Sequence, residues 1–199
     1  MAFINLKKKE IQVKIVYYGP GKSGKTTNLM YIFDRFNAQI KSELISIDTS
    51  GDRTVFFDFM PFNLGRLNGF DIKVQLYTVP GQPRYDATRK LVLNGVDGIV
   101  FVADMLKVRR QENINSLKNL HRNLMGYNKS VFKIPLVFQF NKADLMKQDI
   151  PVLTAEVLAK ELNSRLRKPY FAASALTGQN VAPTLKKITS MTISNLRNN

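Results

Sequence analysis

Ile11, Val13, Ile15 and Val16, followed by Tyr17 and Tyr18, form an apolar run of the kind that fills a buried parallel strand. Leu29, Met30, Ile32, Phe33 and Phe36 then recur at helical spacing. Leu44 to Ile47 alternate as a strand. The polar turn Ser50 to Thr54 leads into an aromatic strand, Val55 to Met60. Pro61 to Gly69 reads as a turn-rich connection, with Asn68-Gly69 as its hairpin signal, and Asp71 to Val79 as a strand pairing antiparallel with Val55 to Met60. Pro80-Gly81-Gln82-Pro83 breaks that strand. A short helix (Ala87 to Leu93), a central strand (Ile99 to Ala103), a helix (Glu112 to Leu124) and a strand (Leu136 to Phe140) follow. Thr154 is placed to cap a helix, Tyr170 to Ala173 is a last strand, and Val181 to Leu196 a closing helix. Residues 1–10 form either a short edge strand or a basic arm. The alternation predicts an α/β fold: a mostly parallel, doubly wound sheet with helices on both faces and an antiparallel edge strand. Its ligand site belongs at the C-terminal strand ends. All of residues 1–199 read as one domain.

Between the first strand and the first helix lies Gly19-Pro20-Gly21-Lys22-Ser23-Gly24-Lys25-Thr26, which fits G-x-x-x-x-G-K-[ST]. Glycines let the backbone wrap a phosphate with its N–H groups turned inward, and the helix start adds a positive end. Gly19, Gly21, Lys22, Ser23, Gly24, Lys25, Thr26 and Thr27 are therefore the candidate phosphate contacts. Lys25 neutralises the outer phosphates in this reading, and the Thr26 hydroxyl ligates Mg²⁺. Lys22 adds a cation read as facing solvent.

Asn141-Lys142-Ala143-Asp144 directly follows a predicted strand. An aspartate there can accept the two edge donors of guanine, a pattern adenine lacks, and so favours GTP over ATP. Asn141 either bonds the base's other edge or braces the phosphate loop, and the Lys142 stem lies over the ring. Ser174-Ala175-Leu176, after the last strand, puts the Ala175 N–H where it can meet the guanine O6.

Composition bounds the rest. With no cysteine, the 199 residues exclude disulfides, thiolate metal sites, prenylation and palmitoylation, and Ala2 excludes myristoylation. No apolar run approaches a membrane span and no signal peptide is recognisable, so the expected location is the cytoplasm. Thirty Lys and Arg against fifteen Asp and Glu give a net charge of +15, which predicts contact with an anionic surface or partner. No run of five like charges and no nucleic-acid motif accompanies it, so specific nucleic-acid binding is not expected.

Taken in order over residues 11–190, these motifs resemble the Ras-like small GTPases, and more narrowly the MglA family of prokaryotic polarity GTPases. The resemblance is carried by Lys14-Ile15-Val16-Tyr17-Tyr18-Gly19-Pro20-Gly21, Asp52-Arg53-Thr54 with Phe56-Phe57-Asp58-Phe59, Leu76-Tyr77-Thr78-Val79-Pro80-Gly81-Gln82, and Gly95-Val96-Asp97-Gly98. It implies a Ras-like P-loop fold and a GTP/GDP switch in cell polarity and gliding motility, with Mg²⁺ held by Thr26 and Thr54. It further implies Gly81 on the γ-phosphate, Gln82 orienting the attacking water, and Arg53 as an arginine finger supplied in cis. Slow hydrolysis accelerated by an MglB-like roadblock-domain dimer, effectors bound in the GTP state, and recruitment to a cell pole belong to the same implication. Small GTPases generally carry an aspartate where Thr78 stands. That departure keeps a second reading open, a hydrolysis-deficient, nucleotide-dependent scaffold working through its basic surface. Asp104 is read as a capping or bracing residue, and the lone His121 as remote from the site.

Overall fold

In a computed structural model the strand Glu10–Tyr18 (β2) lies mid-sheet, parallel to Phe70–Thr78 (β5) on one side and to Gly98–Asp104 (β6) on the other. The structure describes residues 3–36, 45–46, 58–67 and 69–197. The order continues through Leu136–Asn141 (β7) to Tyr170–Ala173 (β8), both parallel. Beyond β5 the sheet turns antiparallel with Asp58–Leu67 (β4), and Ile45–Ser46 (β3) closes that edge. β6 pairs only with Ile15 to Tyr18, so the free half of that β2 edge takes Phe3–Asn5 (β1) as an antiparallel hairpin. The N-terminal residues from Phe3 are thus an edge strand rather than a loose arm.

Alternation along β2 divides the interior in two. Val13, Ile15 and Tyr17 face the helices Lys25–Phe36 (α1) and Val181–Arg197 (α5), burying Leu29, Ile32, Leu185 and Ile188. Val16 and Tyr18 face Asp86–Leu93 (α2) and Arg110–Met125 (α3), with Leu93, Leu120, Leu124 and Phe138. Ala155–Leu158 (α4) joins this second core. Its N-cap is Thr154, whose side chain accepts the Val157 N–H, and it runs on into a π-helical turn, Ala159–Asn163. This is the doubly wound α/β architecture expected, and Leu67 pairs with Phe70 across the expected hairpin position, of which Asn68 lies outside the described residues.

One boundary differs. Pro61 to Leu67 is not a turn-rich connection but the second half of β4, paired as far as Leu67 with β5. Among the described residues β3 covers only Asp58 and Phe59, so from Met60 onward the outer side of β4 has no described neighbour, the kind of position at which a strand tolerates proline. A register shift between Asn63 and Arg66 absorbs Gly65. Val55 to Phe57 lie outside the described residues.

Candidate nucleotide-binding site

The loop between β2 and α1 holds an unusual set of donors. Among the described residues, the backbone N–H groups of Gly21, Lys22, Ser23 and Gly24 have no acceptor. The Ser23 hydroxyl is buried and likewise unpartnered. Converging N–H groups at a helix start suit an anion, so the residues present fit a phosphate chain. Lys25 is buried, and its Nζ donates to the Gly19 carbonyl at 3.0 Å and the Pro20 carbonyl at 2.7 Å. Thr26 is half-buried in the first turn of α1, while Lys22 and Thr27 are exposed. Lys22 adopts a left-handed backbone, φ 62°.

Gly24 shows why the motif needs its second glycine. Its φ is +93°, and a Cβ would stand 2.2 Å from Asn141 Nδ2. That amide donates to the Ser23 carbonyl at 2.7 Å, and Asn141 Oδ1 accepts the Ala175 N–H at 2.8 Å. Of the two roles open to Asn141, the structure thus displays the brace. It also engages the Ala175 N–H within the protein, so a base oxygen would have to share or displace that bond. Behind the loop, Asn28 Nδ2 donates to the Gly24 carbonyl at 2.8 Å, and Gln139 Nε2 donates to Asn28 Oδ1 at 2.7 Å.

Beyond the end of β7, Lys142 Nζ is paired with Asp104 Oδ2, and Asp104 is fully buried. The half-buried Asp144 carboxylate has no partner among the described residues. Ser174 is buried, with its hydroxyl accepting the Thr177 N–H at 3.2 Å, whereas Leu176 is 78% exposed.

The segment after β5, Val79 to Gln82, presses on the β2–α1 loop. A Cβ on Gly81 would meet Gly21 N at 2.2 Å and the Pro20 carbonyl carbon at 2.4 Å, so only glycine fits. A Cβ on Gly21 would find Gly81 at 3.7 Å and Gln82 Cγ at 3.9 Å. Gln82 is exposed beside this contact. Thr78 is buried at the end of β5. Arg53 and Thr54 lie outside the described residues. Among the described residues, no group of three or more His, Cys, Asp or Glu could hold a metal ion.

The Ras family model matches residues 14–194. The "Mutual gliding-motility protein MglA" of Myxococcus xanthus (strain DK1622) is 49% identical over 99% of this chain and 98% of its own length. The chain belongs to the Ras family, on its MglA branch. More distant relatives include Ras-related protein Rab-27B of Rattus norvegicus, 28% identical over 88% of this chain and 77% of that protein.

This MglA-family GTPase also has residues around the site that single motifs did not reveal. Arg89 is buried and donates to the Gln82 carbonyl at 2.5 Å, to Asp86 Oδ1 at 3.0 Å and to Asn119 Oδ1 at 2.9 Å. Asn119 and Asn123 donate to the same Asp86 oxygen, and the Tyr18 hydroxyl donates to Asn119. The hydrogen bond from Asn119 holds the Asp86 carboxyl below its ordinary value, and burial pushes the Tyr18 hydroxyl up to about 12. This polar block anchors the backbone beside Gln82 to α3. Polar residues inside apolar stretches (Gln139 within Leu136–Asn141, Arg89 on the inner face of α2) were the available signal for such braces.

Proposed function

We propose that residues 1–199 work as one small-GTPase domain that binds GTP and GDP and hydrolyses GTP slowly, switching effector binding with the γ-phosphate. One side chain carries the reading. Asn141 ties the phosphate loop, through the Ser23 carbonyl, to the base loop, through the Ala175 N–H, in an interior almost closed to solvent. In this reading the loop N–H groups from Gly21 to Gly24 and the Lys25 ammonium take the phosphates, with Gly81 closing on the γ-phosphate. Asp144 accepts from the guanine edge, with Lys142 over the ring and Ser174 and Ala175 lining its far side. Mg²⁺ would be held by Thr26 and Thr54, and when bound it offsets the phosphate charge. With a threonine at position 78, phosphate oxygens and water would make up the remaining shell. Gln82 orients the attacking water and Arg53 stabilises charge in the transition state, an effect worth about 10³ to 10⁵ in rate when an arginine is so supplied.

The name of the Myxococcus relative supports a role in gliding motility. We extend this to cell polarity, a cytoplasmic protein recruited to a pole, and activation by an MglB-like roadblock-domain dimer on the switch surface. No described helix is long and apolar enough to cross a membrane. Our reading of the +15 charge is a contact with an anionic surface away from the nucleotide. A cavity of about 390 Å³ lined by Lys133, Lys168 and Lys187 opens at the N-terminal ends of β7 and β8, opposite the motif-bearing ends. Its lining comes from residues 113–143 and 162–199, two stretches without a single Asp or Glu.

The deciding experiment is GTP turnover by wild type, Arg53→Ala and Gln82→Ala, with and without an MglB-like dimer. A partner stimulation of at least tenfold, lost in both variants, is expected. Nucleotide binding without turnover would transfer the function to the scaffold reading, with Thr78 marking the lost activity.

A further inference from the structure

Three consecutive carbonyls of the phosphate loop are each held by a cation. Lys25 takes those of Gly19 and Pro20. The third, Gly21, accepts from Arg109 Nη2 at 2.9 Å, a bond spanning 88 positions of sequence. Arg109 ends a one-turn 3-10 helix, Lys107–Arg109, that follows β6 on the motif-bearing edge of the sheet. Its Nη1 donates to Glu112 Oε1 at 2.9 Å, so a residue of α3 sets the direction of the guanidinium. The side chain is mostly covered, and its Nε is buried without an acceptor among the described residues.

We infer that Arg109 is a positioning residue for phosphoryl transfer, fixing the Gly21–Lys22 peptide so that the Lys22 N–H is presented to the phosphate chain. The inference rests on reading residues 19–26 as the phosphate loop. Its physics is that of a planar group. In a trans peptide the C=O and N–H point in opposite directions, so holding the Gly21 oxygen outward turns the Lys22 N–H inward. That N–H is one of the unpaired donors of the loop. Gly21 cannot hold this plane unaided, because glycine has the widest choice of φ and ψ. A hydrogen bond from an ionised donor is roughly twice as strong as a neutral one, and it polarises the peptide so that the opposite N–H becomes a better donor. Gly21 itself and the preceding Pro20–Gly21 peptide lie against Gly81, with Gln82, to which the attacking water is assigned, beside them. Arg109 thus acts on the reacting phosphate through a backbone donor, without touching it.

A purely structural role, gluing the start of α3 to the loop, predicts a different pattern, and full-length Arg109→Ala, Arg109→Lys and Glu112→Gln separate the two. Affinity for fluorescent GDP, single-turnover GTP hydrolysis at saturation and the melting temperature are read for each. Arg109→Ala should hydrolyse about tenfold slower at saturation, below the 10²–10³ seen when such a donor is removed outright, while GDP affinity changes less than threefold. Arg109→Lys keeps the cation and a donor and should recover at least a third of the wild-type rate. Glu112→Gln, which frees the direction of the guanidinium, should fall between. A wild-type rate in Arg109→Ala overturns the inference. So does a parallel fall in melting temperature, affinity and rate that lysine does not rescue. Wild-type protein that bound no GDP would instead overturn the phosphate-loop reading itself.

Discussion

Lys142 Nζ stands 2.5 Å from Oδ2 of Asp104, a carboxylate with no solvent exposure. The pair locks two strand ends together. Asp104 Oδ1 accepts the Leu106 N–H at 3.0 Å, and its backbone is bracketed by Asn113, which accepts the Asp104 N–H at 2.9 Å and donates to its carbonyl at 2.8 Å. The Lys142 backbone is left-handed, φ 76°, which turns its stem away from the line of the strand, and the ion pair fixes the far end of that stem. If that stem covers the guanine ring, its direction is set by Asp104. Asp104→Asn should therefore weaken fluorescent GDP binding about tenfold, roughly 1.4 kcal/mol. Single-turnover hydrolysis at saturation should stay within a factor of two. An unchanged dissociation constant would leave the ion pair without a part in base recognition.

Asn141→Ala removes a donor and an acceptor at once. The Ser23 carbonyl and the Ala175 N–H then lose their partners in the interior, at a cost of about 1–3 kcal/mol for each unsatisfied group. With about 2 kcal/mol as the lower bound, the melting temperature should drop by roughly 4–8 °C for a chain of this size. GDP affinity should fall with it, because both loops are released together. Thermal melts with and without nucleotide check this, and a nucleotide-induced shift equal to that of wild type would contradict it.

The two motifs were legible separately, and their joining only as one of the two roles open to Asn141. Glycine spacing predicts the loop, and a polar tetrapeptide after an apolar strand predicts the base contact, because both signals are local. The bond from Asn141 to Ser23 crosses 118 positions, and that from Lys142 to Asp104 crosses 38, so no periodicity reports them. Arg109 belongs to no local motif, and its bond to Gly21 crosses 88 positions. β6 and β7 were clear because they are apolar almost throughout and buried on both faces, and β5 because it alternates. The end of β4 was not, because Pro61 and Gly65 carry turn chemistry that pairing with β5 overrides.

Gly21 faces Gly81 and Gln82 across ordinary van der Waals distance, which predicts a graded response to size. A single methyl finds its neighbours at 3.7 and 3.9 Å and fits. The branched side chain of Gly21→Val has no such room and must displace Gln82. We expect Gly21→Ala to slow single-turnover hydrolysis mildly and Gly21→Val at least tenfold, with GDP affinity kept in both. Equal rates in the two variants would sever the link between this contact and the chemistry.

The polar block of Asp86, Arg89, Asn119 and Asn123 should respond to acid. The Asp86 carboxyl titrates below its ordinary value because Asn119 bonds its charged form. A lowered folded value means that the stabilisation is fully present above the ordinary carboxylate range, about pH 4, and is lost as pH falls through the folded value. Asp86→Asn lacks that charge at every pH. The melting-temperature gap between wild type and Asp86→Asn should therefore be constant from pH 5 to 7 and close on further acidification. A gap that persists at low pH would assign the effect to packing.

The basic hollow at the opposite end of the sheet gives a prediction independent of the nucleotide. Lys133 and Lys187 are exposed, whereas Lys168 donates to the carbonyls of Phe132 and Ile134 and supports the loop entering β7. The test therefore spares Lys168 and changes Lys133 and Lys187 to glutamine together. Each lysine near an anionic bilayer is worth about 1 kcal/mol, so the double variant should bind vesicles containing a third anionic phospholipid roughly thirtyfold more weakly. Raising the salt should weaken wild-type binding too, because exposed charges are screened within a Debye length of about 10 Å at 0.1 M. GTP hydrolysis should be untouched, since the motif-bearing strand ends lie at the other edge. Binding to neutral vesicles with equal strength, or full retention in the double variant, would remove the bilayer as the partner of this face. An acidic protein would then be the ligand to seek, with the same two lysines as its test.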